Sequence, residues 1–272
     1  MSKFIKVTVT GADGKMGREI IELVLKGNMQ LVGAVEANQD VIGEIVPGTG
    51  TSDNSVVYFT SHDDTSAVKD IFRKSDVVID FTSYQCTLAL ATLAAECNLP
   101  MVIGTTGLDE ENINQLQEIL KKVSCVQEFN MSPGMNVLFG IAGQIARSLS
   151  DYDLELSEAH HREKKDAPSG SAVKILKILA AARGWVLKKV CKYGRQGMIG
   201  KRPKEQIGVS VIRGGGVVGE HTIQYLGKSD QLEITHKAIS RATFAEGALL
   251  AARWGINRTP GFYGMADVLG LK

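Results

Sequence analysis

The sequence predicts an α/β protein with a Rossmann-type, doubly wound parallel sheet domain followed by an α+β domain with a mostly antiparallel or mixed sheet. Three observations lead to this prediction. Nearly apolar strands alternate with helical segments over roughly the first 130 residues, which is typical of a parallel sheet covered on both faces. Glycines interrupt the chain directly after the first strand. Later strands follow one another without intervening helices.

The first domain is predicted from the order of its strands and helices. Ile5, Val7 and Val9 alternate in a first strand, and a helical pattern then runs to Gly27, a residue type that commonly ends helices. Further strands are expected, in chain order, at MQLVGAVEA, VVYFT, SDVVIDFT, MVIGTTG and VSCVQEFN. A glycine-rich polar insertion over 43–55 separates the second strand from the third.

The second domain has a different pattern. DLELSEAHH alternates like a half-exposed strand, and IGVSVIR, VVGEHTIQYL and QLEITHK follow later in the chain. A helix over Ala172–Ala182 is expected to pack on one face of the resulting sheet. The basic, glycine-containing stretch Lys188–Glu205 is predicted to be a long, solvated loop. The chain then returns to a helix at FAEGALLAARWG, followed by a short tail.

Composition and charge exclude several classes of function. The 272 residues are 44% hydrophobic, which is enough for a sizeable core and for two domains. With 31 basic and 30 acidic residues the net charge is +1, so nothing indicates a nucleic-acid partner or a membrane surface. The four cysteines lie far apart, without the spacing of a zinc site, and no metal is predicted.

Targeting signals are not seen in the sequence. The N-terminus lacks the apolar region of a signal peptide, and no apolar run approaches the length of a membrane span. We therefore expect a soluble protein of the cytoplasm, or of the plastid stroma if the chain is a mature fragment, although no transit peptide is seen.

The loop GADGKMG, Gly11–Gly17, occupies the position of a dinucleotide-binding turn, since it follows the first strand and opens the first helix. Its backbone N–H groups could bind a pyrophosphate at the helix N-terminus. The spacing is GxxGxxG rather than GxGxxG, so the motif alone is weak evidence. Glu36 ends the second strand, where a carboxylate can accept hydrogen bonds from ribose hydroxyls and repel a 2′-phosphate. Because Ala37 follows instead of an arginine, NADH is favoured over NADPH, although Lys15 could still reach a 2′-phosphate.

Two further turns follow apolar strands of the first domain: GTTG, Gly104–Gly107, and EFNMS, Glu128–Ser132. Ligands of doubly wound sheets bind outside the carboxyl ends of the strands, so both turns are expected to border one crevice. Small and hydroxylated residues there would let the backbone approach a nicotinamide ring. Each motif, taken singly, also fits an ordinary turn.

The densest titratable chemistry is in EAHHREKKDAPSGSA, Glu158–Ala172. His160 and His161 end a strand, so their rings are expected on opposite sides, and Lys164 follows in a loop. Ser169 is expected to cap the next helix. A helix N-terminus beside a lysine can bind an anion, and a nearby histidine can donate or accept a proton. The stretch therefore indicates a small, carboxylate-bearing substrate; the alternative is a surface loop with a helix cap.

These motifs, with MVIGTTG, FNMSPGMN and VVGEHT…LEITHKAISRATFA, closely resemble the 4-hydroxy-tetrahydrodipicolinate reductases (dihydrodipicolinate reductases) of lysine biosynthesis. The resemblance runs over almost the whole chain in the same order. It implies an oxidoreductase that uses NAD(P)H to reduce a cyclic imine dicarboxylate to tetrahydrodipicolinate on the diaminopimelate and lysine route. It also implies a homotetramer, with a dinucleotide-binding domain at 1–131 to which 241–272 returns, and a substrate-binding and oligomerisation domain at 132–240.

The resemblance also implies the site residues. His160 and Lys164 would supply the acid function, protonating the carbon next to the one that receives hydride. His161, Gly170 and Ser171 would hold the carboxylates of the substrate. The dinucleotide site would comprise Gly11, Ala12, Asp13, Gly14, Lys15, Met16, Glu36, Gly104, Thr105, Thr106, Glu128, Phe129, Asn130 and Met131.

The chain departs from the family's usual pattern at three positions. Ser171 stands where the family usually has threonine, which keeps the hydroxyl group. Ala37 replaces a common arginine, which puts the use of NADPH in doubt. Met131 replaces an aromatic residue often found beside the nicotinamide, a change expected to alter packing more than chemistry.

Two alternatives remain at the level of sequence. One is another Rossmann-type nicotinamide oxidoreductase, acting on a small carboxylated substrate, a semialdehyde or a sugar; a sugar or semialdehyde enzyme would not need a dicarboxylate pocket. The other is a dinucleotide sensor without chemistry, which could lose His160 or Lys164, yet both are present. Dipicolinate, a flat dicarboxylate mimic, should inhibit the reductase and leave a sensor or a sugar enzyme untouched.

Overall fold

The computed structural model describes residues 4–51 and 55–271. Residues 52–54 of the predicted glycine-rich insertion and residues 1–3 lie outside this description. The chain forms two compact units: the first comprises Met1–Pro133 and Arg241–Lys272, and the second comprises Gly134–Ser240. Among the described residues, no helix combines the length and the apolar character needed to cross a bilayer.

The described strands and helices alternate through the first half of the chain. The strands are β1 (Ile5–Thr10), β2 (Met29–Glu36), β3 (Phe59–Ser61), β4 (Val77–Asp80), β5 (Met101–Ile103), β6 (Ser124–Gln127), β7 (Asp153–His160), β8 (Cys191–Tyr193), β9 (Ile207–Arg213), β10 (Gly219–Leu226), β11 (Gln231–Ala238) and β12 (Gly261–Tyr263). The helices are α1 (Lys15–Lys26), α2 (Thr65–Phe72), α3 (Tyr84–Glu96), α4 (Glu110–Ile119), α5 (Pro133–Ser148), α6 (Gly170–Ala182), α7 (Leu187–Val190), α8 (Ala242–Gly255) and α9 (Met265–Val268).

The first unit contains a seven-stranded parallel sheet with the order β12-β6-β5-β4-β1-β2-β3. The predicted doubly wound sheet is thereby confirmed. The strand order changes direction between β1 and β4, and ligands of such sheets bind at the carboxyl ends of the strands flanking this switch point. Every residue of β4 and β5 is buried, as expected for strands covered on both faces. Helix α1 buries Ile20, Ile21 and Val24 and ends at Gly27, as the sequence predicted.

The end of the chain completes the first unit. Helix α8 shares a core with α1, and Gly247 lets it approach the backbone closely, because a Cβ there would lie 1.8 Å from the carbonyl oxygen of Met131. The predicted short tail was wrong at GFY, which forms β12 beside β6. A strand of three residues is too short to show alternation; instead its aromatic rings fix it, with Tyr263 packed edge-on against Trp254.

The second unit contains a five-stranded mixed sheet with the order β11-β10-β7-β9-β8. Strand β10 is antiparallel to both β11 and β7, whereas β9 is parallel to both β7 and β8. The mixed form of the prediction is therefore confirmed, and the sheet is less antiparallel than the uninterrupted run of strands suggested. The physical reason is the crossover through α6, which returns the chain in the direction of β7.

The predicted loop at Lys188–Glu205 was wrong at its beginning, which forms the end of α7 and then β8. The remaining basic residues are not merely solvated. Arg195 binds both carboxylate oxygens of Glu155 at 2.8 Å, and Arg202 contacts the same carboxylate. The charge of this segment therefore attaches it to β7.

Strand β7 places one face in the interior of the second unit. Its buried residues are Leu154, Leu156, Glu158 and His160, which alternate with half-exposed ones. On the neighbouring strand β10, Tyr225 is buried and its hydroxyl donates a hydrogen bond to the carbonyl of Ala142 in α5, at 2.8 Å. This buried face is apolar at one end and polar at the other, where β7 ends.

Candidate active site

The glycine loop of the first unit has the backbone conformation that a dinucleotide turn requires. Gly11 has φ +71°, and a Cβ there would lie 2.3 Å from the carbonyl oxygen of Phe81, so only glycine fits. A Cβ at Gly17 would lie 2.1 Å from the carbonyl oxygen of Gly11. Gly14 is the N-cap of α1 without any side-chain cap, and the first turn carries no acidic residue. The helix N-terminus is thus suited to a phosphate.

Glu36 lies at the carboxyl end of β2 and holds the glycine loop. Its Oε2 accepts the backbone N–H of Asp13 at 2.8 Å, while Oε1 accepts those of Ala37 at 2.7 Å and Asn38 at 3.2 Å. The carboxylate is therefore fixed beside the loop. A carboxylate keeps further lone pairs for other donors, such as a ribose diol.

A cavity of about 260 Å³ lies beside these groups. The backbone of the glycine loop and the Glu36 carboxylate border it together, a combination that suits the phosphates and the ribose of a dinucleotide. Neither lysine nor arginine is among the residues that line it. These are Gly11, Gly14, Val35, Glu36, Ala37, His62, Phe81, Thr82, Ser83, Cys86 and Leu90.

A larger cavity of about 500 Å³ lies between α1 and Val46–Gly48. Its lining is mainly apolar. Its charged side chains are paired with one another, Arg18 with Asp13 and Lys26 with Glu22. This cavity therefore offers few free polar groups, and the smaller one fits the dinucleotide better.

The predicted cofactor residues all lie in the first unit, but not all present a side chain to solvent. Ala12 and Met131 are buried in the core, and the Thr105 hydroxyl points inward to Asp80. Any contact of these three with a cofactor must use the backbone. Gly104 and Glu128 are also buried. The remaining predicted residues are partly or fully exposed: Gly11, Asp13, Gly14, Lys15, Met16, Glu36, Thr106, Phe129 and Asn130.

The predicted catalytic and substrate residues lie in the second unit, around the end of β7. Glu158 and His160 are two residues apart and so share the buried face, and Glu158 stands opposite His221 on β10. The Nδ1 of His160 is hydrogen bonded to Oε2 of Glu158. Oε1 of Glu158 accepts hydrogen bonds from Arg213, at 2.8 Å, and from the backbone N–H of Ser169, at 3.1 Å.

Glu158 is a buried anion with donors on both oxygens. Burial alone would raise its pKa, but the hydrogen bonds from His160, Arg213 and the Ser169 backbone outweigh that effect and lower the pKa to about 2. An ionised Glu158 accepts a hydrogen bond from Nδ1–H of His160, so Nε2 is the ring nitrogen without a proton in the neutral imidazole. Gly219 makes room for this nitrogen, because a Cβ there would lie 3.1 Å from Nε2. The imidazole is thus fixed in orientation and in tautomer.

His221 completes the polar end of the buried face. Its Nε2 lies 3.1 Å from the Ser169 hydroxyl, and its ring is edge-on to that of His160, with centroids 5.2 Å apart. Burial and, secondarily, the field of His160 lower the pKa of His221 to about 4. The ring is therefore neutral at neutral pH. Its Nδ1 has no hydrogen-bond partner among the described residues.

The loop after β7 is held on both sides. The ammonium of Lys164 lies 2.8 Å from the Asp166 carboxylate, and the Lys164 backbone N–H donates to the carbonyl of His161. Arg213 donates to the carbonyl of Asp166 at 2.7 Å, so one guanidinium joins this loop to Glu158. These contacts place Lys164 and His161 in the same hydrogen-bonded segment as His160.

Helix α6 begins where this loop ends. Ser169 is its N-cap, as predicted: the hydroxyl accepts the backbone N–H of Ala172 at 3.2 Å. Gly170 is exposed, Ser171 is buried, and the first turn has no acidic residue. An anion approaching this terminus would meet backbone N–H groups and the positive end of the helix dipole.

Glu158, His160 and His221 offer ligand atoms within 4.8 Å of one another, close enough for a metal ion. Arg213 and His160 already occupy the two oxygens of Glu158, and a cation would have to displace the guanidinium. The cluster is better suited to hold an imidazole than a metal.

Sequence reasoning missed four residues of these sites: Asp80, Glu158, Arg213 and His221. Asp80 ends the apolar strand VVID and is fully buried. Glu158 could have been found from its spacing, since it shares a strand face with His160. Arg213 and His221 stand on other strands, and no local spacing connects them with His160.

The pKa of His221 predicts a pH-dependent loss of stability. An unfolded histidine titrates near 6.5 and the folded one near 4, so the unfolded chain binds more protons in this window. The free energy of unfolding therefore falls as the pH decreases, by about 2 kcal/mol between about pH 7 and about pH 5 from this group. The variant His221→Gln keeps a side chain that can reach Ser169 but cannot titrate in this range. Urea denaturation at both pH values should show that its free energy of unfolding falls by about 2 kcal/mol less than that of the wild type. An equal loss in both proteins would contradict the assignment.

Comparison with known proteins places this arrangement in a family. The chain matches the models described as "Dihydrodipicolinate reductase, N-terminus", over residues 5–131, and "Dihydrodipicolinate reductase, C-terminus", over residues 134–269. A 4-hydroxy-tetrahydrodipicolinate reductase of Syntrophus aciditrophicus (strain SB) is 41% identical over 276 residues, which cover 98% of this chain and 99% of that protein. The reductase of Anaeromyxobacter dehalogenans (strain 2CP-C) is 42% identical over 270 residues, covering 98% of each chain.

Solved structures share the fold. Dipicolinate-bound dihydrodipicolinate reductase from Paenisporosarcina sp. TG-14 superposes with a TM-score of 0.76 at 24% identity, over 98% of this chain and 100% of that one. An amine dehydrogenase from Mycobacterium smegmatis does so with a TM-score of 0.62 at 13% identity, over 96% of this chain and 95% of that one. The family match extends over nearly the whole sequence, which confirms the resemblance seen in the motifs. This chain belongs to the dihydrodipicolinate reductase family.

Proposed function

We propose that this protein reduces 4-hydroxy-tetrahydrodipicolinate to tetrahydrodipicolinate with NAD(P)H, in the diaminopimelate route to lysine. The observation that carries the proposal is the buried Glu158–His160 pair beside the start of α6, in a chain of this family. Reduction of an imine dicarboxylate needs an anion site and a proton donor. The second unit supplies both within one hydrogen-bonded segment.

The substrate carboxylates would bind at the N-terminus of α6. Gly170 and Ser171 are the first residues of the helix, so their N–H groups point outward at the positive end of the helix dipole. His161 precedes the same loop and would contribute a further donor. Two carboxylates bound this way would fix the ring relative to His160 and exclude substrates that lack them.

His160 and Lys164 would supply the proton. Glu158 fixes the Nδ1 of His160, so the imidazole would donate from Nε2 to the substrate carbon. Glu158 also keeps a negative charge beside the imidazole, because the pKa of its carboxyl group is lowered to about 2. When bound, the reduced nicotinamide supplies the hydride.

The acid function can be tested by replacing both donors. In His160→Ala/Lys164→Ala, turnover should fall by about a hundred- to ten-thousand-fold, the usual contribution of general acid catalysis. NADH binding, measured by fluorescence titration, should stay within about twofold of wild type, because neither residue belongs to the first unit. Lys165→Ala, the exposed neighbour, is the matched control and should retain turnover.

Turnover is measured with freshly made substrate and each nicotinamide, and dipicolinate should inhibit the wild type competitively. Near wild-type turnover in the double variant would contradict the roles of His160 and Lys164. NADH oxidation with other carbonyl substrates but not with this imine would instead favour the alternative oxidoreductase.

We further propose that NADH is the better cofactor. The Glu36 carboxylate is fixed by three backbone N–H groups beside a cavity whose lining contains neither lysine nor arginine. A 2′-phosphate there would meet a negative charge without a compensating cation. Lys15, the exposed first residue of α1, is not among the residues that line the cavity, and Arg18 is bound to Asp13 at 2.6 Å.

This proposal predicts the effect of one substitution. Ala37→Arg should raise kcat/KM for NADPH at least about tenfold relative to NADH, since a guanidinium pairs well with a phosphate. Ala37→Gln adds similar length without charge and should leave the ratio within about twofold of wild type. Steady-state kinetics with both cofactors measures the ratios. A wild-type enzyme that strongly prefers NADPH would overturn the proposal.

We also propose a homotetramer formed through the second unit. Several apolar side chains are exposed there: Tyr193, Met198, Ile199, Val211, Ile212, Leu232 and Ile239. Exposed apolar groups concentrated on one part of a protein commonly mark a contact with another chain. Strand β9 carries two of them in succession, Val211 and Ile212.

Light scattering after size exclusion should give four times the 29.3 kDa mass of the chain. Val211→Glu should reduce the measured mass of the assembly, because the new carboxylate would be buried in the contact between chains. The same change at Val56, exposed in the first unit, is the matched control and should leave the mass unchanged. A monomeric wild type would refute the tetramer.

A further inference from the structure

We propose that Asp80 is a positioning residue for the dinucleotide, because it holds the turns after β4 and β5 in the arrangement that forms one wall of the cofactor cavity. The inference rests on the proposed function only in taking that cavity as the site of the nicotinamide cofactor. Asp80 itself is fully buried and does not reach the cavity.

Four threonine hydroxyls surround the Asp80 carboxylate. Oδ1 accepts from Thr10 at 2.5 Å and Thr82 at 2.9 Å, while Oδ2 accepts from Thr87 at 2.5 Å and Thr105 at 2.7 Å. These threonines come from β1, the turn after β4, α3 and the turn after β5. One carboxylate thus joins the turn after β4 and the start of α3 to two segments that are distant in the sequence, β1 and the turn after β5.

This carboxylate has no ion-pair partner among the described residues. Burial raises the pKa of Asp80, and the hydrogen bonds from Thr10, Thr87, Thr105 and Thr82 offset that effect only in part. A buried carboxyl group without a counter-ion is costly, and apolar side chains would serve better if only packing were required. What the carboxylate adds is a fixed orientation of the four threonine hydroxyls, since each of them directs its hydrogen toward it.

The direction matters most at Thr105. Its hydroxyl donates to Asp80 and accepts the backbone N–H of Thr82 at 2.9 Å. Because the hydrogen of this hydroxyl points to the carboxylate, its lone pair faces the N–H group of Thr82. Asp80 therefore fixes the turn after β4 against the turn after β5 through Thr105.

The turn fixed in this way borders the glycine loop. A Cβ at Gly11 would lie 2.3 Å from the carbonyl oxygen of Phe81, and a Cβ at Gly104 would lie 2.1 Å from the Phe81 ring. Phe81, Thr82 and Ser83 also line the cavity of about 260 Å³. A displacement of Thr82 would therefore change the shape of the cavity next to the phosphate-binding loop.

The test compares two threonines on the same oxygen. Thr105→Val and Thr87→Val each remove one hydroxyl from Oδ2 at nearly constant shape, but only the first also releases the N–H of Thr82. Thr105→Ser restores the hydroxyl. The measurements are the Kd for NADH by fluorescence titration, the KM values for NADH and for the imine, and the melting temperature.

Thr105→Val should raise the Kd and KM for NADH by about five- to fifty-fold, the effect of losing a hydrogen bond in a charged network, with little change in the KM for the imine. Thr87→Val should lower the melting temperature similarly but keep the Kd within about twofold, and Thr105→Ser should restore NADH binding. Asp80→Asn provides a second test. Its amide N–H group would face hydroxyl groups that now donate to the carboxylate, so this variant should weaken NADH binding as Thr105→Val does.

Equal effects of the two valine substitutions on NADH binding, or no effect of either, would overturn the inference and leave Asp80 a structural residue. A wild-type protein that binds NADH but does not reduce the imine would refute the proposed function instead, while the comparison of Kd values would still decide the role of Asp80.

Discussion

The hydrogen bonds of the buried Glu158 carboxylate are the interaction on which the arrangement of the second unit depends. A buried carboxylate is tolerated only if donors satisfy it, and each of its three donors belongs to a different part of the second unit: the imidazole of His160, the backbone at the start of α6, and the guanidinium of Arg213. The helix terminus that we propose as the anion site and the imidazole that we propose as the acid are therefore positioned by the same two oxygens. A shift of either would disturb the other.

In the first unit Asp80 likewise joins several segments through its carboxylate, but its donors are of a different kind. Glu158 is held partly by charged groups, which lower its pKa to about 2, whereas Asp80 is held by neutral hydroxyls, which leave its pKa raised by burial. This difference in charge between the donors fits the functions that we propose for the two sites. The ionised Glu158 keeps a negative charge beside the imidazole that we propose as the acid. A cavity that binds a dinucleotide requires only fixed walls, and hydroxyls provide direction without adding charge.

The sequence predicted those parts of the site that are local in the chain. The Gly11–Gly17 turn, the strand-end Glu36 and the Ser169 cap each depend on neighbours within a few residues, and the structure forms the turn, the strand end and the cap where expected. Long-range contacts were not predictable in this way. Asp80 receives hydrogen bonds from residues up to 70 positions away, and Arg213 is separated from Glu158 by 55. Such pairings depend on strand order, which periodicity does not reveal.

The same distinction explains the errors in the fold. Strands β8 and β12 have three residues each, too few for alternation to appear, and their place is decided by pairing with β9 and β6. The parallel pairing of β7 and β9 follows from a helical crossover, not from the strands themselves. Within each unit, then, the sequence specifies the elements locally, while a buried carboxylate bonded to distant segments fixes how their ends meet. Each proposed ligand site consequently has its own organising group inside its own unit, so that disturbing Asp80 should alter the affinity for the cofactor and disturbing Glu158 should alter proton transfer.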